Sequence, residues 1–223
     1  MRLVLPRLYV ILDAALLTIP ETECACQLAD AGVRLLQYRN KEASSRELLE
    51  SAKRLSAALV PLGATFILND RPDVAFLADA SGVHVGQEDL GVEEARTVVG
   101  PGKLVGISTH NRAQFEQAAT TSADYIAVGP IFSTSSKANP DPVIGTEFIR
   151  EVRPLTKKPI VAIGGITLER AAEVVRAGAD AVAVISDILR APDPGERARQ
   201  FIEILEAANR SGRLRTSKEM TNG

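Results

Sequence analysis

Cysteine is nearly absent from this chain: Cys24 and Cys26 are its only two among 223 residues. They lie two apart in a stretch that reads as helix, where such side chains diverge, so they neither pair nor share a metal. That excludes a disulfide-stapled scaffold, and no Cys or His spacing offers a zinc site. Long apolar runs are missing too. Nothing approaches the roughly 18 consecutive apolar residues of a membrane span, and the start, MRLVLPRLYVILDAA, has no separate signal-peptide core or cleavage site. A net charge of -2 and a pI near 5.8 give no electrostatic reason to expect a nucleic acid or an anionic membrane as partner. The expected location is cytoplasmic.

Histidine is equally scarce. His84, inside the strand-like GVHVG, reads as a hydrogen-bonded structural residue, whereas His110 falls in a loop at a strand end. Neither has a Ser, Cys or acid partner legible in the sequence, so no nucleophilic triad is expected.

What the chain does have is rhythm. Eight short β-rich apolar runs, LYVILD, VRLLQYR, TFILND, GVHVGQ, LVGIST, YIAVGP, PIVAIGG and DAVAVIS, alternate with longer amphipathic segments. Repeated βα units of this kind build a parallel sheet. In just over 200 residues they fit a closed (β/α)8 TIM barrel, a single domain over residues 1–208. The alternative, an open doubly wound sheet, would carry a glycine fingerprint after its first strand, and YVILDAALLT has no glycine. Residues 209–223 lose the apolar period and read as a mobile C-terminal tail.

In such a barrel, chemistry gathers at the C-terminal ends of the strands. Nearly every run here delivers something polar or glycine-rich to that rim. QYRNK sets Gln37, Arg39 and Lys41 at alternate positions, one side of an extended chain, with an arginine fork and a lysine point charge suited to a diphosphate. A solvated charged turn is the plainer alternative. Asn69, Asp70 and Asp89 supply an amide and two carboxylates on neighbouring strands, hard oxygen ligands for Mg2+ or an acid–base pair; Asp70 alone reads equally as a helix cap. PIVAIGGIT followed by AVAVIS matches the phosphate site of these barrels, built from a glycine turn after the seventh strand and a small hydroxyl residue after the eighth. The stretch VGPIFSTSSKANP puts four hydroxyls and one cation, Lys137, where the sixth strand ends. The rim therefore holds two anion sites facing one mouth, for two phosphorylated ligands or one ligand phosphorylated at both ends.

These motifs, LLQYRNK, FILNDRPDVA, GVHVGQEDL, VGISTHN, VGPIFSTSSK, PIVAIGGIT and GADAVAVIS, resemble those of the thiamine-phosphate synthase family, in order and over roughly residues 8 to 205. The resemblance implies a transferase of thiamine biosynthesis. It would join a pyrimidine diphosphate to a thiazole phosphate, with Mg2+ as cofactor and two phosphorylated small molecules as partners. By the same resemblance Gln37, Tyr38, Arg39, Asn40, Lys41, Asn69, Ser108 and Lys137 bind the pyrimidine diphosphate. Asp70 and Asp89 hold the metal, and Thr134, Ser135, Ser136, Gly165, Ile185 and Ser186 hold the thiazole phosphate. Arg39, Lys41 and Lys137 would stabilise the departing diphosphate, with the STSSK loop as a lid. Related thiazole tautomerases lack much of the diphosphate-binding set. The sequence departs from the family pattern at Ser81, where an aspartate is common, and at Ser133, where proline is common.

Overall fold

Along the first strand, β1 (Leu8–Asp13), side chains alternate between two different cores. Leu8, Val10 and Leu12 pack outward, whereas Tyr9 and Ile11 pack inward with Leu35, Ile67 and Tyr125. Strand geometry imposes this period of two, and it repeats around a computed structural model that describes residues 3–134 and 141–220, the last ten of them as backbone only. The remaining strands are β2 (Leu35–Arg39), β3 (Thr65–Asn69), β4 (Gly82–Val85), β5 (Leu104–Thr109), β6 (Tyr125–Val128), β7 (Ile160–Ile163) and β8 (Ala181–Val184). All pair in parallel with their sequence neighbours, and β8 returns to β1, which closes the barrel. The expected (β/α)8 architecture is the one observed.

The helices between them are α1 (Glu21–Asp30), α2 (Ser45–Leu59), α3 (Pro72–Leu77), α4 (Val92–Val99), α5 (Arg112–Thr120), α6 (Gly145–Val152) and α7 (Leu168–Arg176). A four-residue helix, α8 (Ser186–Leu189), follows β8 directly and precedes α9 (Pro194–Met220). Ser44 opens α2 with the capping box that the sequence suggests: the Glu47 N–H donates to Ser44 Oγ, and Ser44 N–H donates to the Glu47 carboxylate. Helix α9 runs on through most of the segment set apart in the sequence as a tail.

The rim away from the strand ends is stitched by one device used three times. The residue just before an even strand accepts the N–H at the start of the preceding odd strand: Phe66 N–H donates to Ser81 Oγ, Val105 N–H to Asp124 Oδ2 and Ile160 N–H to Asp180 Oδ2. Arg96 and Arg153 neutralise the two aspartates. Ser81 makes the same bond without a charge. Of the two departures noted in the sequence, the one at Ser81 therefore falls on the face of the barrel that serves stability.

Candidate active site

The inward-facing positions at the C-terminal ends of the strands open into one cavity at the barrel mouth. One wall carries side chains from consecutive strands: Gln37 and Arg39 of β2, Asn69 of β3, His84 of β4 and Ser108 of β5. The opposite wall is mostly backbone and small residues, with Gly129, Pro130 and Thr134 after β6, Gly164 and Gly165 after β7, and Ile185 and Ser186 after β8. Ile11 and Ile163 add an apolar lining.

Arg39 is aimed by a residue that the sequence motifs do not reveal. Asp13, at the inward end of β1 and 5% exposed, accepts from Arg39 Nη1 at 2.5 Å, while its other oxygen accepts the Ala15 N–H. Register pairs the two residues directly across β1 and β2. Lys41, by contrast, lies past the end of β2 in an exposed turn, where its Nζ stands 3.5 Å from Asp70 Oδ2. The alternation therefore holds for Gln37 and Arg39 and lapses before Lys41.

Asp70 does not cap a helix. The position before α3 is Arg71, with no side-chain capping bond, and Asp70 itself sits at φ 63°, a left-handed conformation that aspartate tolerates better than most residues. Its carboxyl meets that of Asp89. Burial, then the hydrogen bond to Asp89 and its charge, push the Asp70 carboxyl up to about 6, against an opposing pull from Lys41. Asp89 is held from behind, its Oδ2 accepting the Gly86 N–H at 2.7 Å. Two carboxylates brought together at the cost of a raised pKa are a donor set that a divalent cation relieves, and Mg2+ is content with one or two protein carboxylates when substrate oxygens and waters complete its shell. Among the described residues no cluster of three or more His, Cys, Asp or Glu side chains with metal-binding geometry occurs.

The glycine wall is shaped by close approach. Gly164 and Gly165 have φ of 99° and 61°, and a Cβ on either would collide with the chain at Pro130, Phe132 or Ser133. Arg170 ties the same two loops, donating to the Gly165 carbonyl at 3.3 Å and stacking 4.7 Å above the Phe132 ring. Beside them, α8 begins at Ser186 right at the pocket edge. His110, also in the lining, donates from Nδ1 to the Gly129 carbonyl at 2.7 Å and lies 3.5 Å from Asp141.

Of the residues singled out in the sequence, Gln37, Arg39, Asn69, Ser108, Thr134, Gly165, Ile185 and Ser186 line this one cavity. Lys41, Asp70 and Asp89 are linked to one another beyond the lining. Tyr38 and Asn40, named with them, are absent from the lining. Tyr38, one step out of phase with Gln37, packs in the outer core, and Asn40 folds back, with Nδ2 donating to Tyr38 Oη and Oδ1 accepting the N–H groups of Glu42 and Ala43. Ser135, Ser136 and Lys137 lie outside the described residues. Asp13 and Asp141 join the site without having stood out in any motif, because their relevance lies in contacts with Arg39 and His110, while His110 and Pro130 take their place from motifs that gave them no role.

Eight parallel strands closed on themselves, with one polar mouth at their C-terminal ends, define an enzyme of the (β/α)8-barrel class. Residues 8–188 match the family model described as thiamine monophosphate synthase, and the chain belongs to that family. It is an enzyme, a transferase of thiamine biosynthesis. The chain is 53% identical over 210 residues to the thiamine-phosphate synthase of Koribacter versatilis, covering 91% of this chain and 97% of that one. It is 44% identical to the thiamine-phosphate synthase of Shouchella clausii, over 80% of this chain and 85% of the other. Among solved structures, the thiamine phosphate pyrophosphorylase of Pyrococcus furiosus superposes with a TM-score of 0.83 at 35% identity, covering 91% of this chain and 96% of that one.

Proposed function

We propose that this enzyme condenses 4-amino-2-methyl-5-(diphosphooxymethyl)pyrimidine with a thiazole ethyl phosphate, giving thiamine phosphate and pyrophosphate. The observation that carries the reading is the division of one mouth into two unlike anion-facing walls. Arg39 and Asn69, with Lys41, Asp70 and Asp89 alongside, suit a diphosphate on one side. Gly164, Gly165 and Ser186 at the head of a short helix after β8 suit a monophosphate on the other, the arrangement by which these barrels hold phosphate.

The chemistry needs no protein nucleophile. The bond between the pyrimidine methylene carbon and its bridging oxygen breaks with both electrons leaving on the diphosphate, and the thiazole nitrogen lone pair closes the new carbon–nitrogen bond. Asp70 and Asp89 would hold Mg2+, which when bound supplies charge to neutralise the departing diphosphate. Arg39, fixed by Asp13, adds a directed cation to that leaving group. Ile11 and Ile163 give the cavity apolar surface that would help keep water from competing with the thiazole. Holding two ligands end to end in one cavity contributes the alignment that a two-substrate displacement otherwise lacks.

Purified protein given both substrates and Mg2+ should form thiamine phosphate, and Asp89→Ala should lose at least a hundredfold in kcat while keeping its circular dichroism spectrum. Wild-type rates from Asp89→Ala would overturn the metal assignment, and absence of product from the wild type would overturn the reaction.

A further inference from the structure

Below the pocket floor, a chain of polar side chains crosses the otherwise apolar barrel core. Gln37 Nε2 donates to Tyr9 Oη at 2.7 Å, and Tyr9 Oη lies 3.0 Å from Tyr125 Oη. Tyr125 Oη in turn lies 3.1 Å from His84 Nδ1, and His84 Nε2 lies 2.9 Å from Ser108 Oγ. Tyr9 and Tyr125 are 1% and 0% exposed and do not reach the cavity, while Gln37 and Ser108, at the two ends, do. The fold makes room for this on purpose-built terms: a Cβ on Gly106 would overlap the Tyr125 ring, and the His84 ring stacks on Tyr125 with centroids 5.5 Å apart. Burying two phenols and an imidazole in a core of this size costs stability unless every proton is placed, so the chain must satisfy itself. Packing alone would have been served by phenylalanine.

A phenol has one proton to donate, so each link constrains the next, and a sense fixed at one end carries to the other. If the sense set by Gln37 continues, Tyr9 donates to Tyr125, Tyr125 donates to His84 Nδ1, and the imidazole proton sits on Nε2, where it donates to Ser108. Two consequences reach the pocket. In that sense the Gln37 carbonyl would be presented as an acceptor, and the Ser108 hydroxyl proton would be released as a donor. We propose that the chain runs in this sense, and that Tyr9, Tyr125 and His84 are positioning residues that set the donor and acceptor polarity of the pocket floor and so select a ring presenting an N–H toward Gln37 and an unprotonated ring nitrogen toward Ser108. Choice of an aminopyrimidine over its hydroxy or deamino analogues then rests on a relay buried beneath the substrate. The ring's identity as a pyrimidine rests on the function proposed above, whereas the sense of the relay does not.

The chain contains only two histidines, so 15N-histidine-labelled protein gives a two-site tautomer spectrum that needs no substrate and no activity. The relay predicts wild-type His84 as the Nε2–H tautomer. Tyr125→Phe, which keeps the ring and removes the proton donor, should abolish that preference, whereas Tyr9→Phe should leave it unchanged because Tyr125 still donates to His84. Both variants should lose about tenfold or more in kcat/KM for the pyrimidine diphosphate, the worth of one oriented hydrogen bond, with KM for the thiazole phosphate unmoved. The loss in Tyr9→Phe, which acts through Gln37, should vanish for an analogue lacking the amino group, whereas that in Tyr125→Phe, which acts through Ser108 on the ring nitrogen, should persist. Wild-type His84 carrying its proton on Nδ1, or a tautomer that Tyr125→Phe does not disturb, would overturn the relay. An intact tautomer pattern with equal losses in Tyr9→Phe for the substrate and its deamino analogue would overturn its role in selection.

Discussion

Asp13 and Arg39 stand opposite each other across β1 and β2, joined by a 2.5 Å ion pair at the lip of the pocket. The guanidinium is thereby aimed before any ligand arrives, so Arg39 loses little side-chain freedom on meeting an anion. Asp13→Asn keeps the oxygen that accepts from Ala15 and removes the charge that holds Arg39. It should raise KM for the pyrimidine diphosphate by about tenfold, and cost roughly 1–3 kcal/mol of stability through the loosened charged hydrogen bond. Steady-state kinetics and urea unfolding of the one variant read both effects; an unchanged KM would show that Arg39 is not a diphosphate ligand.

Asp70 gives the protein a pH signature. Its carboxyl is raised to about 6 in the folded state, above the ordinary carboxylate value near 3.9, so between these two pH values the folded chain binds more protons than the unfolded one. Stability from this group is present at low pH and declines as pH rises to about 6, leaving the metal-free protein penalised at pH 7. Asp70→Asn, which suits the left-handed backbone there, should raise the metal-free Tm at pH 7 by about 2–4 °C and leave it unchanged at pH 4. Mg2+ should raise the wild-type Tm at pH 7 and fail to raise that of the variant. A Tm gain at both pH values would point to packing instead of charge.

At the other end of the barrel, Asp180 accepts the Ile160 N–H at 2.9 Å and pairs with Arg153 at 2.6 Å. Asp180→Ala strands a buried strand N–H and takes the carboxylate from Arg153, which keeps only its bonds to the Thr156 and Lys158 carbonyls, so it should cost about 2–4 kcal/mol. Activity per folded molecule should stay within about twofold of wild type, since the opposite face carries the chemistry. Denaturant unfolding alongside kcat/KM separates the two; a large loss of kcat/KM in folded protein would contradict the division of labour between the faces.

The two cysteines should react unequally. Cys24 is buried in α1 and its thiol is pushed up to about 11, first by burial and then by the charge of Glu23, while Cys26 is partly exposed. A maleimide at pH 7.5 should label Cys26 at least tenfold faster than Cys24, because it is the thiolate that reacts. Peptide mapping after a short exposure reads the ratio, and equal labelling would mean that α1 opens readily.

The architecture was legible in the sequence because it rests on local signals: apolar runs of strand length, glycine turns and a serine–glutamate cap at Ser44. The rim was legible for the same reason, as each strand end is named by its own motif. What was hidden depends on contacts between distant positions. Tyr9 and Tyr125 meet across 116 residues, and His84 finds the serine partner that no motif assigned to it in Ser108 of the neighbouring strand. Asp13 looked like the end of an apolar run until its inward phase placed it against Arg39. Tyr38 and Asn40 show the converse, since membership of a motif did not override the alternation that turns Tyr38 outward or the side-chain bonds that fold Asn40 back on the loop.

The most direct measurement is product formation by mass spectrometry, with purified protein, pyrimidine diphosphate, thiazole phosphate and Mg2+, run with and without a chelator. The account predicts thiamine phosphate and pyrophosphate in equal amounts only when both substrates are present, with the reaction stopped by chelator and restored by added Mg2+. A folded sample that binds both ligands yet forms no thiamine phosphate would contradict it.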